Sequence, residues 1–272
     1  MPFTENKTGT LLFMTSTALG VTHAFTTRLG GVSGGIYDSL NLAQNAGDDP
    51  ACVRRNFELL GSALGFDAEC LVLSRQVHGT HIRLVTKEDR MSPFAPVPYE
   101  ADGLITADKD IPLMIFTADC VPILLYDPNG AIGAVHAGWR GTVGDIAGKA
   151  VREMARCFGS RPWDICAAIG PCISACCYET GEDVKAAVFN TLGEEACRYV
   201  IPRDDVLHGG KYMTDLKGIN SLLLTRAGIR PENIDISREC TSCLSHKYWS
   251  HRVTNGKRGS QASIIMMKGS MT

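Results

Sequence analysis

"FTADCVPILLYDPNGAIGAVHAGWRGT", residues 116–142, sets two apolar runs on either side of the tetrapeptide Asp127-Pro128-Asn129-Gly130. Aspartate first, proline second and glycine fourth is the pattern of a type I turn. A left-handed Gly130 completes a three-residue hairpin loop. Counting outward from Asp127 opposite Ala131, Pro122 falls opposite His136 and Cys120 opposite Gly138. Cys120 and His136 then share one face as diagonal neighbours, ~7 Å apart between Cα atoms and within side-chain reach. A two-residue loop would put them on opposite faces, so the turn chemistry decides their meeting. Pro122 has no N–H to give a central ladder and predicts an edge strand or an irregularity.

Upstream, "GVTHAFTTRLGGVSGGIYDSLNLA" begins strand-like and breaks into a glycine-rich loop over 30–35, of the kind that lets backbone approach a ligand or simply makes a wide turn. Asp49 as cap, Pro50 in the first helical position, and Val53, Phe57, Leu60 and Leu64 at helical spacing predict a structural helix. "CLVLSRQVHGTHIRLVT" reads as two strands broken near Gly79, with His78 at the break, and the three-proline stretch that follows reads as a surface loop leading back into a strand. Downstream of the hairpin, Thr142 with Asp145 resembles a capping box. Val143, Ile146, Ala147, Ala150, Val151, Met154 and Phe158 continue it at the 3.6 period. "AAIGPCISACCYET" predicts a strand ending in a compact turn, helices follow over 182–192 and 215–227, and the tail reads as strand, polar loop and final strand. With no repeat or linker, one α/β domain with mixed strands over residues 1–272 is the simplest account.

A net charge of −2 supplies no basic field for phosphate backbones, so nucleic acid is not an expected partner; small molecules are. No apolar run approaches the ~20 residues of a membrane span. The run Leu11–Met14 is too short for a secretory signal, which predicts a cytoplasmic protein. Eleven cysteines, an odd number spread over a long chain, predict mostly reduced, buried and inert thiols rather than a disulfide framework.

A thiol and an imidazole on one face admit three readings: a buried thiol beside a core histidine, a nucleophilic dyad in which the imidazole creates a thiolate, or a metal site. His78 in its glycine-flanked break could complete the last, and two histidines with one cysteine leave zinc a fourth position. Arg140, at the start of the next helix, offers either an anion site or a surface ion pair.

The segments "HAFTTRLGGVSGGIYDSLNLA", "GDDPACVRRN", "RQVHGT", "ADGLIT", "TADCVPILLYD", "AVHAGWRGT", "GPCISACCYE", "DLKGIN" and "YWSHRVTNGKRGSQAS" stand in the order found in the laccase-domain family, and the chain resembles that family from His23 to Met267. Its members have been called polyphenol oxidases, purine nucleoside phosphorylases and peptidoglycan editing factors. The resemblance implies an α+β, mixed α/β fold of four layers, α/β/β/α, and a zinc site whose ligands fall on His78, Cys120 and His136. Where the family usually has "FSYRR" this chain has "WSHRV", so Val253 stands in place of the second arginine.

The resemblance further implies phosphorolysis of adenosine or inosine to free base and ribose 1-phosphate, with adenosine deamination as a companion activity. Zinc suits both, as a Lewis acid for an oxygen and as a means of lowering the pKa of water to ~7. Arg28, Arg140, Asn41 and the glycine loop with Gly31 are the expected phosphate-binding residues. Asp102 or Asp119 is expected to move protons, or Asp119 to orient a ligand. The alternative is a peptidoglycan editing hydrolase removing a wrong amino acid from a muramyl precursor by a Cys120 thiolate or a metal-activated water. Copper-dependent phenol oxidation ranks below both, because none of the seven histidines forms the H-x-H pair of multicopper clusters and Met114 is not obviously placed as an axial ligand. A monomer or small homo-oligomer is expected.

Three motifs are discounted. "CTSCLSHKYWSH" offers Cys240, Cys243, His246 and His251, but its middle gap of two residues is far from the ~12 of a zinc finger. "GPCISACC" lacks the H-x-E of nucleobase deaminases and is expected to be a turn. "LGGVSGG" lacks the Lys-Ser/Thr ending of a phosphate-binding loop.

Overall fold

The computed structural model describes residues 3–203 and 210–269. The chain opens with β1 (Phe3–Thr8), β2 (Leu11–Ser16) and β3 (Thr22–Thr26), then α1 (Pro50–Leu64), β4 (Ile82–Leu84), β5 (Gly103–Thr106) and β6 (Leu113–Thr117). The hairpin follows as β7 (Val121–Asp127) and β8 (Ala131–Ala137), then α2 (Trp139–Val143), α3 (Ile146–Phe158), β9 (Cys166–Ile169), β10 (Glu179–Thr180) and α4 (Glu182–Leu192). Last come β11 (Val200–Pro202), β12 (Tyr212–Thr214), α5 (Leu216–Arg226), β13 (Ile234–Ile236), α6 (His251–Thr254) and β14 (Gln261–Met266).

Two large sheets stack face to face. One is antiparallel, β1-β2-β3-β14-β6; the other is mixed, β13-β9-β7-β8-β5-β4, with its two outermost pairs parallel. A small sheet, β10-β12-β11, flanks them. Strand alternation explains the stacking, because successive residues point to opposite faces. From the mixed sheet, Leu104, Leu124, Ile132 and Ala134 meet Phe25, Leu113, Ile115 and Ile265 of the antiparallel sheet. The other faces of the same strands, Ile123, Leu125, Val135 and Ala137, pack under α3, α4 and α5. On the far side, Phe13, Ala24, Met114 and Ile264 receive the Val53, Phe57, Leu60 and Leu64 stripe of α1. The result is the expected four-layer α/β/β/α sandwich. Asp49 Oδ1 accepts from Ala51 N at 2.9 Å to start α1, and left-handed Gly65 ends it. Truncating Phe57 to alanine should cost about 3–5 kcal/mol.

The hairpin has the register counted from the sequence: Asp127 faces Ala131 and Pro122 faces His136, with Gly130 at φ 110°. Pro122 sits in a central strand, so of the two expectations, an edge or an irregularity, the second holds. The β7–β9 ladder ends at Ile123 opposite Ile169, and Pro122 contributes only its carbonyl, which accepts from Gly170 N. The proline thus marks where β9 leaves the sheet. Two further expectations need correction. Thr142 does not cap the long helix; it lies inside the five-residue α2, and left-handed Asp145 caps α3 through Gly148 N. Residues Leu71 and Val72 form isolated bridges, not a regular strand. Among the described residues, no helix is long and apolar enough to cross a membrane.

Candidate functional site

β5 lies beside β8, and β8 beside β7, so residues at one end of the three strands are neighbours. Asp102 precedes β5, Cys120 precedes β7, and His136 lies near the end of β8. His136 N donates to Asp102 O at 2.7 Å, extending that ladder by one pair. His78 comes from the loop before β4. His78, Cys120 and His136 each bring one ligand atom into a group whose members all lie within 4.8 Å of one another. His78 Nε2 is 3.8 Å from Cys120 Sγ, and the two imidazole rings stand nearly perpendicular, 4.8 Å between centroids. His136 is buried, Cys120 half-buried and His78 exposed, so the group opens to solvent on the His78 side.

Asp102 organises this arrangement. Its Oδ1 accepts from His136 Nδ1 at 2.8 Å and from His78 N at 3.0 Å, while Oδ2 accepts from Gly79 N at 2.7 Å and Val77 N at 3.2 Å. His78 adopts φ 58°, a left-handed conformation costing about 1–3 kcal/mol in a non-glycine residue. Three amide bonds to a carboxylate, each worth about 1.5–3 kcal/mol, more than offset it. Burial would raise the Asp102 pKa, but the His136 hydrogen bond and the Gly79 and Val77 amides hold it below the ordinary carboxylate value. With Nδ1 tied to Asp102, His136 has Nε2 left for the site.

Without a metal ion, the Cys120 thiol would be pushed up by burial, but hydrogen bonds and charge from His136 and His78 bring it down to about 6. Burial would lower His136, yet Asp102 and Cys120 raise it to about 9. At neutral pH the metal-free pair is therefore thiolate and imidazolium. The inert-thiol reading of Cys120 does not describe this geometry.

Asp119 is the second buried carboxylate. At φ 86°, its Oδ1 accepts from the Thr241 hydroxyl at 2.6 Å, and Oδ2 from Ser250 Oγ at 3.0 Å and Arg252 N at 2.7 Å. Its carbonyl accepts from Ile173 N at 3.0 Å. Both Asp102 and Asp119 are thus hydrogen-bonded within the protein, Asp102 to His136 and Asp119 to the loops around Cys120.

Three of the residues expected to bind phosphate make hydrogen bonds within the protein. Arg28 donates to the carbonyls of Asp38 and Ser245 and lies 3.9 Å over the Trp249 ring. Asn41 is buried, bonded to Asp48, Ala43 and Ser260. In the glycine loop, the amides of Gly30 and Gly31 donate to Ser39 Oγ, that of Val32 to Asn56 Oδ1 and that of Ser33 to Ser39 O. A Cβ at Gly31 would stand 2.3 Å from Ser39 O, so close packing requires glycine there. Arg140 is exposed, with its guanidinium 4.3 Å over the Trp139 ring.

Sequence reasoning missed Arg258 and Tyr178. The charge of Cys120 acts on both. Arg258 binds Gly259 O and Ser260 Oγ through Nη1, while its buried Nε has no partner among the described residues. Tyr178 is pushed up to about 12 by burial and by the Cys120 charge, with Arg252 and Arg140 opposing, so it stays a phenol. Both residues lie in segments quoted above for the resemblance, but neither spacing nor composition marks them. Arg258 lines a recess of about 390 Å³ with Phe116 and His251. That recess shares Gln44, Asn45 and Phe116 with a cleft of about 650 Å³ lined also by Ser74, Gln76 and Phe94. Gln44 Nε2 and Ser74 Oγ, both in the cleft wall, lack hydrogen-bond partners among the described residues. Gln76, whose side chain bonds both backbone groups of Phe116, ties this cleft to the loop of His78.

Residues 22–268 match the family profile described as "Multi-copper polyphenol oxidoreductase laccase". The chain belongs to this laccase family. Among its relatives, a purine nucleoside phosphorylase of Deinococcus radiodurans is 41% identical over 248 residues, covering 91% of this chain and 89% of the relative. The adenosine deaminase RL5, from an unknown prokaryotic organism, is 37% identical, covering 84% of this chain and 87% of RL5. The crystal structure of YlmD from Geobacillus stearothermophilus superimposes with a TM-score of 0.89 at 36% identity, covering 98% of this chain and 100% of YlmD. The mixed α/β laccase-family fold is thereby established over nearly the whole chain.

Proposed function

We propose that this laccase-family protein is a zinc-dependent purine nucleoside phosphorylase, converting adenosine or inosine and phosphate to free base and ribose 1-phosphate. The observation that carries the reading is the convergence of His78, Cys120 and His136, with the charge of Cys120 acting on Arg258 and with Gln76 joining their loop to the cleft of Gln44, Ser74, Phe94 and Phe116. The name of the Deinococcus radiodurans relative supports it.

One thiol and two imidazoles within ligand distance of one another suit zinc, one donor short of a tetrahedral set. A divalent ion held by His78, Cys120 and His136 supplies a Lewis acid for a phosphate or ribose oxygen. The chain's own residues do the rest. Asp102 fixes the tautomer of His136, so that its Nε2 lone pair is presented. The cationic side chains of Arg258 and Arg140 complement the phosphate dianion. Tyr178, protonated at neutral pH, donates a hydrogen bond to charge developing as the glycosidic bond breaks. Gln44 and Ser74 offer unpaired polar atoms to the nucleoside, and Phe94 and Phe116 offer aromatic surface.

The name of RL5 supports adenosine deamination by the same site, read as ammonia release with inosine as product. A Cys120 thiolate beside an imidazolium is also the nucleophile that hydrolysis of a muramyl amide requires. Copper-dependent phenol oxidation gains less support, because Met114 packs in the α1 core instead of completing a copper site. Inosine incubated with and without phosphate separates these readings. Phosphorolysis requires hypoxanthine release to stop without phosphate and ribose 1-phosphate to accumulate with it. Release that continues undiminished without phosphate would reject it.

A further inference from the structure

The expectation of buried, inert cysteines holds for few of them. Among the described residues only Cys172 and Cys240 are buried, and all eleven are unbridged. Four gather at one place. Cys176 and Cys177, in the turn after β9, meet Cys240 and Cys243, in the loop after β13, and their four sulfur atoms all lie within 4.8 Å of one another. Cys243 Sγ is 3.5 Å from Cys176 Sγ and 3.3 Å from Cys177 Sγ. The C-x-x-C half of the discounted zinc-finger pattern therefore does converge with further ligands. They are the adjacent pair of a distant turn, not His246 and His251, which remain exposed.

We propose that Cys176, Cys177, Cys240 and Cys243 form a structural zinc site, separate from the His78–Cys120–His136 group. The inference does not depend on the proposed activity. A tetrahedral ion with Zn–S bonds of ~2.3 Å separates its sulfurs by ~3.8 Å, within the range these four span. A disulfide needs ~2.05 Å, shorter than either of these separations. Four soft thiolates with no nitrogen or oxygen donor select zinc over harder ions, and a closed four-ligand set is that of a structural ion. Binding exchanges four S–H protons to solvent for four Zn–S bonds, with no change of oxidation state.

The surroundings are built to hold such thiolates. Cys240 Sγ accepts from Ser174 N at 3.3 Å and from the amides of Cys243 and Ser242, the pattern of N–H groups that fold around a bound sulfur in a C-x-x-C turn. The two loops are fixed independently of the cluster. Thr241 N donates to Cys172 O, and Lys217 Nζ donates to Ser237 O and Glu239 O just before Cys240. The same two loops carry Tyr178, Thr241 and Ser250, and the second leads into α6 with Arg252; the charge of Cys120 acts on Tyr178, and the other three bond Asp119. An ion at this place staples the loops that frame the functional site.

The test is metal analysis of reduced full-length protein in a Cys120→Ala background, where the other group is crippled. About one zinc per chain is expected to remain, and to be lost on adding Cys243→Ser. Cobalt substituted into the Cys120→Ala protein should give the intense visible absorption of a tetrahedral tetrathiolate, and X-ray absorption of its zinc form an all-sulfur shell at ~2.3 Å. The spectroscopic arm needs no second cysteine variant, so misfolding of Cys243→Ser leaves the proposal testable. Reduced Cys120→Ala protein that takes up neither zinc nor cobalt overturns it. So does a nitrogen- or oxygen-dominated shell, iron as the bound metal, or a Cys243 disulfide in protein isolated without air.

Discussion

Oδ1 of Asp102 lies 2.8 Å from Nδ1 of His136, and both side chains are closed to solvent. The other oxygen of the same carboxylate receives the amides that shape the His78 turn. Asp102→Asn keeps the volume but turns an NH2 group toward one of these donors and removes the charge that raises His136. Metal affinity, measured by competition with a chelator, is expected to fall about 10–100-fold with the fold retained. Unchanged affinity would show that Asp102 does not support the ligands.

Gly138 offers a purely steric test. Its φ of −66° suits any residue, but a Cβ there would sit 2.8 Å from His78 Cδ2 and 3.4 Å from Cys120 Sγ. Gly138→Ala is expected to push His78 out of the group, lowering metal content and turnover together while the circular dichroism spectrum stays native. Full metal occupancy in this variant would mean that His78 is dispensable.

In metal-stripped protein, alkylation of Cys120 by iodoacetamide should report its thiolate. With the thiol lowered to about 6, the rate is expected to be at its plateau at pH 7–8 and to drop as pH falls through about 6. An ordinary thiol would instead still be accelerating near pH 8.5. Peptide-resolved mass spectrometry isolates this site from the other cysteines, and added zinc should protect it. A midpoint near 8.5 would contradict the thiolate–imidazolium pair.

Arg258 and Arg140 can be ranked by their effect on phosphate. Arg258→Gln is expected to raise the KM for phosphate at least ~10-fold, the equivalent of one charge-assisted hydrogen bond. Arg140→Ala, removing an exposed side chain, should raise it less. Phosphate KM values unchanged in both variants would place the anion elsewhere.

The hairpin was legible because its turn carries a conformational rule: once Gly130 is left-handed, the pairing of Pro122 with His136 follows by counting. The α1 stripe was legible for a similar reason, since cap, proline and apolar spacing agree. What escaped depends on contacts between distant segments. The role of Asp102 appears only when β5 pairs with β8, bringing its carboxylate to an imidazole 34 residues away. Asp145 looked like the third position of a capping box, whereas its left-handed backbone starts a new helix. The glycine loop looked like an anion cradle, but the Ser39 and Asn56 side chains that consume its amides are not part of any local pattern. Beside Cys240 and Cys243 the sequence offers only nearby histidines, whereas the cysteines that meet them stand more than sixty residues upstream.

The place of β14 has a further consequence. It lies between β3 and β6, so the β1–β2–β3 segment joins β6 only through a strand far downstream of both. The Cys120–His136 hairpin can close from local contacts, yet one wall of the sandwich stays open until Gln261–Met266 docks into that gap. Closing the sandwich is thus a long-range step, and loosening β14 should split the antiparallel sheet between β3 and β6 before it disturbs the hairpin that carries the thiol and imidazole.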